Sequence, residues 1–398
     1  MSDAVLIIAG HAVSPLHYIN GERVGSAETF QLFSPIDQRV LGQIAQATPE
    51  QVASAVTAAS AAFPAWSQLT EAVRRDYLHA FAAEIGKRKD AFCEVESNDA
   101  GVLLSRMQHG VAPRAMLNLT YFADHALTLQ DHLIVTDQAT HYVKHDPAGV
   151  CAIITPWNAP LMLTTWKLGP ALASGNTVVI KPPEWAPLTC SLLADCAHAA
   201  GVPPGVVNIV QGSGAVTGAA LVADPRLARI SFTGSVPTAK LIAGAAAQNL
   251  VPCSLELGGK SPFIVLEDSD VDAAAACGAL MYRNATQVCF AGTRFLVHER
   301  VRDAFVASMK SVVEKLTVGD PRDAATEVGP VIHPRQHERI KAFVARAKAE
   351  GATVLWGGEP HPYGALYFQP TMLTDVAQDS EIVQNEVFGL WRPADKRT

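Results

Sequence analysis

Hydrophobic and polar positions follow three different rhythms along this chain, and each rhythm predicts a different kind of element. From Tyr18 to Gln46 short β-branched runs are broken by turn residues, which predicts one or two strands. Then the period changes. Thr48-Pro49-Glu50-Gln51 is a capping box with proline at the first helical position, and Val52, Val56, Ala59 and Phe63 follow on one helical face until Pro64 ends it. Tyr77, Leu78, Phe81 and Ile85 outline a second amphipathic helix, and helical stretches continue as far as His125. Between Thr128 and His145 the pattern alternates, with Leu133 and Val135 on one arm, Tyr142 and Val143 on the other, and a polar stretch between them. That predicts a β-hairpin; as pattern alone, it fits an ordinary surface ribbon equally well.

From Gly149 to Glu256 short continuous apolar runs, over 150–154, 177–180, 206–210, 230–232 and 253–255, alternate with helical stretches. This alternation is the mark of βαβ units and a doubly wound parallel sheet. Ligands of such sheets bind beyond the carboxyl ends of the strands. Thr155-Pro156-Trp157-Asn158, Lys181 with Glu184, Gly212 with Gly214, and Thr233-Gly234-Ser235 are therefore expected to face one crevice. Gly212, Gly214 and Gly218 follow GxGxxxG, one residue longer than the usual dinucleotide fingerprint, and plain turn residues satisfy the same spacing. Beyond Pro262 a second α/β region is predicted, with strands over 263–266 and 295–297, helices over 271–283, 301–316 and 334–350, and short strands near Val354 and Tyr367. The final stretch, 391–398, has no apolar period and reads as a foreign or frameshifted end.

Composition narrows the class. A chain of 398 residues exceeds one ordinary core, so two domains with a small appendage are expected. The hydrophobic fraction of 49% against 17% charged residues excludes a disordered protein, and the net charge of −7 argues against nucleic acid or an anionic membrane as partner. The N-terminus lacks a positive region and its apolar run over 5–9 is short, so a soluble cytoplasmic protein is expected. Seven cysteines with no CxxC spacing suggest reduced thiols, not a disulfide framework or a zinc site. His333 and His337 share a helical face with no third ligand nearby, which suggests a surface pair and no metal.

The candidate chemistry lies in Glu256-Leu257-Gly258-Gly259-Lys260-Ser261-Pro262 and in Gln287-Val288-Cys289-Phe290-Ala291-Gly292-Thr293-Arg294. They offer one carboxylate and one thiol. A cysteine is a useful nucleophile as thiolate, and a positioned glutamate can take a proton from it or from a water. Alone the pair proves little, because a buried cysteine is usually an inert hydrophobe and a glutamate before Gly-Gly a solvated strand end.

Those two runs are joined by Thr155-Pro156-Trp157-Asn158-Ala159-Pro160, Lys181-Pro182-Pro183-Glu184, Phe232-Thr233-Gly234-Ser235 and Glu386-Val387-Phe388-Gly389. With these six motifs in order over nearly its whole length, the chain resembles the NAD(P)-dependent aldehyde dehydrogenase superfamily. The resemblance implies an α/β fold: a doubly wound, Rossmann-like NAD-binding domain over 1–127 and 146–255, an oligomerisation hairpin over 128–145, and a second α/β catalytic domain over 256–390, with 391–398 unmatched. It implies NAD-dependent oxidation of a small-molecule aldehyde to the acid. Cys289 would form a thiohemiacetal and then a thioester, Asn158 and the Cys289 backbone N–H would hold the oxyanion, and Glu256 would activate the hydrolytic water.

For the cofactor, the same resemblance assigns Lys181 and Glu184 to the adenosine ribose, where a carboxylate favours NAD over NADP. Ser235 would meet the pyrophosphate, Glu386 the nicotinamide ribose and Phe388 the ring. Ile154, Thr155, Pro156, Trp157, Gly214, Gly218, Phe232, Thr233, Gly234 and Leu257 would line the rest. By themselves Ser235 reads as an N-cap, Lys181 as a solvated strand end and Phe388 as core. The stretch 157–187 resembles members acting on semialdehydes of aromatic-compound breakdown. Two departures stand out. Thr286 occupies the place of a family glycine, and the chain stops soon after Phe388, where the family's chains continue. The chain therefore reads as truncated at its C-terminus, with weakened homo-oligomerisation. The alternative function is a catalytically impaired NAD-binding protein of the same fold.

Overall fold

Thr48 Oγ1 accepts a hydrogen bond from the Gln51 N–H at 3.3 Å, and Gln51 Oε1 accepts one from the Thr48 N–H at 3.1 Å, so the expected capping box is formed. These bonds belong to a computed structural model, which describes residues 4–389 and the backbone of 391–397. The helix they start, Pro49–Ser67, runs past Pro64, contrary to expectation. Proline costs a helix its own bond to the carbonyl four residues earlier, and Trp66, 1% exposed, anchors the turn beyond it in the core. The helix Glu71–Lys87 buries Leu78, Phe81 and Ile85 of its predicted face, and Ala112–Ala126 is one of the helical stretches expected before His125.

The chain clusters into two compact units. One takes the chain up to Leu32, Val40–Glu96 and Met107–Glu256; the other takes Phe33–Arg39, Ser97–Arg106 and the chain from Leu257 onward.

The first unit is built on a seven-stranded sheet, in spatial order Cys253–Leu257, Leu227–Gly234, Val150–Ile154, Thr177–Lys181, Val207–Ile209, His17–Ile19 and Glu22–Val24. The strands from Leu227–Gly234 to Val207–Ile209 are parallel, and the last two add an antiparallel edge. Val150–Ile154 and Thr177–Lys181 are buried throughout, which is why they read as unbroken apolar runs: both faces of a doubly wound sheet are covered. From Val150–Ile154 the chain steps outward on one side through Thr177–Lys181 to Val207–Ile209, then returns to Leu227–Gly234 on the other. That reversal makes a topological switch point beside Ile154. The predicted hairpin is formed by His132–Val135 and Thr140–Val143, and Leu133, Ile134, Val135, Tyr142 and Val143 are all exposed on it. No described helix is long and apolar enough to cross a membrane.

The second unit holds a five-stranded sheet in the order Pro262–Val265, Arg294–His298, Trp391–Arg397, Thr371–Thr374 and Thr353–Trp356. The stretch read as a foreign or frameshifted end without apolar period supplies, with the backbone of Trp391–Arg397, a central strand parallel to both neighbours. The ring of Phe295 packs against those of Phe263 and Phe305 with centroids 5.2 and 5.4 Å apart, at the middle of a core that includes Tyr282, Phe343 and Leu373.

Three expectations fail here. The strand expected near Tyr367 lies at Thr371–Thr374, because the Tyr367 N–H turns back to the Gly364 carbonyl and its ring meets that of Tyr363 edge to face. The helix expected over 271–283 stops at Ala279 and gives way to a kinked segment, Leu280–Thr286. His333 and His337 are no surface pair. His333 accepts from the Arg335 N–H at its helix start, while His337 is buried with its ring against Phe368.

Candidate active site

In the first unit the expected residues sit at the carboxyl ends of the strands, at and beside the switch point. Ile154 closes its strand and the Thr155 N–H donates to the Lys181 carbonyl, so the sheet's bonding runs one residue into the Thr155 to Asn158 loop. Pro156, Trp157 and Asn158 are half-buried, and the indole of Trp157 lies 5.9 Å from that of Trp185. The helix that follows, Pro160–Ala173, is tied down at its start by a wholly buried carboxylate: Glu96 Oε2 accepts from the Leu161 N–H at 3.0 Å and from Thr189 Oγ1 at 2.8 Å. A carboxylate at a helix N-terminus meets both unpaired N–H groups and the positive end of the dipole.

Lys181 is buried and its ammonium donates to the Pro182 carbonyl at 2.8 Å. Burial pushes its pKa down to about 8, with the charge of Glu184 acting the other way. Glu184 accepts from the Gly214 N–H at 2.9 Å, so the expected carboxylate is held in place by the glycine segment itself. Within that segment Gly212 is the position that needs glycine: its φ is +146° and a Cβ would lie 2.0 Å from Thr217 Oγ1. A Cβ on Gly214 meets open space, and one on Gly218 would make ordinary contact with the Lys181 stem at 3.6 Å.

Across the switch point, Phe232, Thr233 and Gly234 end their strand. The Phe232 ring covers Gly234 so closely that a Cβ there would stand 2.4 Å from it. Ser235 caps the helix Val236–Ala247 by accepting from the Thr238 N–H, which leaves an exposed helix N-terminus of the kind that receives anions. Glu256 is exposed near the end of Cys253–Leu257.

The second unit carries the others. Leu257 is half-buried, and beyond it the Gly258-Gly259 turn cradles Glu386: a Cβ on Gly258 would fall 2.1 Å from both carboxylate oxygens. Burial raises the Glu386 carboxyl, while the Gly259 N–H and the charges of Arg339 and Lys260 oppose that rise. Burial also pushes Lys260 down to about 7. The helix Pro334–Ala349 grips the backbone of this segment. Arg339 donates to the Glu386 carbonyl at 2.7 Å, and Gln336 Nε2 donates to the carbonyls of Val387 and Phe388 at 2.9 and 2.8 Å. Phe388, half-buried, is held at φ +57°.

Cys289 is half-buried on the loop before Arg294–His298. Cys93, Cys151 and Cys196 are buried, and burial pushes their thiols up to about 11. At Thr286, in the place of the family's glycine, the backbone takes a positive φ, +57°.

A model of the aldehyde dehydrogenase family matches residues 23–390. The chain belongs to the aldehyde dehydrogenase family. It is 39% identical over 389 residues to a 2-hydroxymuconic semialdehyde dehydrogenase of Pseudomonas sp. (strain CF600), covering 94% of this chain and 80% of that one. Among solved structures it is similar to the indole-3-acetaldehyde dehydrogenase of P. syringae in complex with NAD+ and IAA, with a TM-score of 0.94 and 33% identity over 97% of this chain and 80% of that chain. It is also similar to a 3,6-anhydro-L-galactose dehydrogenase in complex with NAP, with a TM-score of 0.92 and 36% identity over 96% and 82% of the two chains. This aldehyde dehydrogenase is thus an oxidoreductase that takes aldehydes to acids.

Several side chains placed with these groups were not singled out from sequence. Lys167 is buried on Pro160–Ala173, donates to Ser231 Oγ at 3.0 Å, and is pushed down to about 8 by burial against the opposing charge of Glu256. A lysine in so apolar a helix was a legible signal. Gln336 and Arg339 left none, because their work is done on backbone carbonyls some 50 residues away in sequence.

Proposed function

We propose that this aldehyde dehydrogenase uses NAD and works through covalent intermediates on Cys289. The observation that supports it most is placement: Cys289 is half-buried on the loop that follows the left-handed bend at Thr286, in the Gln287-Val288-Cys289 motif, whereas Cys93, Cys151, Cys190 and Cys196 are buried. Its thiolate adds to the aldehyde carbon to give a thiohemiacetal, whose oxyanion takes hydrogen bonds from Asn158 and the Cys289 N–H. NAD, when bound, supplies the hydride acceptor that turns this adduct into a thioester. Glu256 then takes a proton from the water that hydrolyses the thioester, and its negative charge keeps the nearby Lys167 closer to its protonated form.

The residues present fit a dinucleotide. Lys181 ends a strand, Glu184 follows it in a turn beside open space at Gly214, and Ser235 starts a helix with its N-terminus exposed. Glu184, fixed by the Gly214 N–H, would accept from the adenosine ribose hydroxyls and repel a 2′-phosphate, so NAD is preferred to NADP. Glu386, seated on the Gly258-Gly259 turn, is assigned to the nicotinamide ribose, with Phe388 beside the ring.

For substrate, the likeness to a 2-hydroxymuconic semialdehyde dehydrogenase supports a semialdehyde. Cysteines in no disulfide among the described residues suit a reducing cytoplasm, and the exposed apolar hairpin Leu133 to Val143 suits a homo-oligomer. The comparisons lend no support to the catalytically impaired alternative. A panel of aldehydes and semialdehydes assayed for NADH and NADPH formation tests the reading. Turnover of semialdehydes with NAD is expected; a preference for NADP would overturn the assignment of Glu184.

A further inference from the structure

Asn284, Ala285 and Thr286 have φ values of +55°, +53° and +57°, three successive left-handed residues without a glycine among them. L-residues visit this region singly, and asparagine tolerates it best. Alanine tolerates it less, and threonine, branched at Cβ, least of all. The three follow an extended Arg283, with ψ of 151°, so the chain turns abruptly out of its helix and reaches Cys289 three residues later. Thr286 carries a second penalty. It is 1% exposed, and its Oγ1 has no hydrogen-bond partner among the described residues. A strained backbone and an unmet hydroxyl on one buried residue are each costly, and such features persist only where the surroundings over-determine them.

The surroundings that do so can be named. Gln287, 2% exposed, donates from Nε2 to the Asn284 carbonyl at 3.1 Å and to the Pro330 carbonyl at 3.3 Å, and accepts at Oε1 from the Ile332 N–H at 3.0 Å. Its own N–H also donates to the Asn284 carbonyl, at 3.0 Å. One amide side chain therefore closes the bend on itself and fastens it to the segment 330–332. On the other flank Tyr282, fully buried, donates from its hydroxyl to the Thr371 carbonyl at 2.9 Å and fixes where the bend begins.

We propose that Thr286 makes the turn ahead of the nucleophile a sprung one, and that Gln287 is the positioning residue that holds it shut and so sets the bearing of Cys289. This rests on the reading of Cys289 as nucleophile. A glycine at 286 would remove the strain and the unmet hydroxyl together, but would also let the loop visit backbone conformations that threonine, once clamped, is denied. Stability and catalysis should then move in opposite directions, which a merely structural residue would not produce.

The test uses purified full-length chain carrying Thr286→Gly, Gln287→Met or both, with melting temperature, kcat, NAD affinity and the rate of Cys289 alkylation by iodoacetamide as readouts. Thr286→Gly is expected to raise the melting temperature by about 1–3 °C. It should also lower kcat and the alkylation rate by about tenfold, with NAD affinity unchanged. Gln287→Met should lower all of them except NAD affinity, and its loss of melting temperature should be smaller in the Thr286→Gly background, because there is less strain to restrain. If Thr286→Gly lowers or does not change the melting temperature, the turn is not sprung. If it leaves kcat and alkylation unchanged, the turn does not position the thiol. Either result overturns the proposal even when Gln287→Met fails to fold. A failure of the underlying reading looks different: Cys289→Ala would keep its turnover.

Discussion

Thr155, Lys181, Thr233 and Ser235 in the first unit continue strands or start a helix, and none of them has a positive φ. Thr286 and Phe388 in the second unit, which flank the proposed nucleophile in sequence and in the family motifs, are both left-handed, and side chains bonded to backbone carbonyls hold them there. The sheet places its groups by repetition, at no local cost. The irregular segments need dedicated clamps, Gln287 for one and Gln336 with Arg339 for the other. Recognition of the adenosine side of the cofactor can thus be robust to local substitution, while Cys289 and the nicotinamide side depend on a few amide and guanidinium contacts.

The sharpest test of this contrast removes the thiol and leaves both scaffolds alone. Cys289→Ala is expected to lower aldehyde oxidation by at least about 1,000-fold with NAD affinity within about twofold, measured by NADH formation and by titration. Retained turnover would dismiss Cys289. Glu256→Gln should come next, with kcat lower by about 100-fold and a burst of NADH before the steady state, because deacylation suffers more than hydride departure. A loss of the burst along with turnover would assign Glu256 to the first step.

Smaller effects probe each side of the contrast. Glu184→Ser should narrow the preference for NAD over NADP by about tenfold, read from the ratio of kcat/KM values, as repulsion of a 2′-phosphate is lost. An unchanged ratio would mean that the carboxylate serves only the Gly214 N–H. Gln336→Ala removes two bonds to the backbone at Val387 and Phe388, and should raise KM for NAD by about fivefold and lower the melting temperature by a few degrees. If KM stays constant, the irregular segment does not need its clamp and the contrast between the units collapses.

The regular parts were the legible parts. Val150–Ile154 and Thr177–Lys181 announced themselves as short unbroken apolar runs because both their faces are buried, and the box at Thr48 formed as its spacing implied. Site residues at strand ends were legible for the same reason, since the end of an apolar run marks the crevice side. What escaped was decided by contacts distant in sequence. Pro64 does not end its helix because Trp66 is buried beyond it, and the helix expected to reach Arg283 breaks earlier because a bend is clamped from 330–332. No local pattern records a glutamine's bond to a carbonyl some 50 residues away.

The second unit is stitched from three lengths of chain, and the stitching constrains how the polypeptide can acquire its structure. Ser34 Oγ donates to the Asn98 carbonyl, Arg39 and Arg322 both donate to the Asn98 side chain, and the Leu104 N–H donates to the Pro321 carbonyl. A ribosome releases 33–39 and 97–106 long before residues 321 and 322 exist. The two early segments can bond to each other, but they must wait for their partners at 321 and 322 while more than half of the protein is synthesised. Contacts of such long sequence separation form slowly, so completion of this unit should be the late step of folding. A fragment beginning at Leu257 would never finish it, since two of the pieces it needs lie upstream.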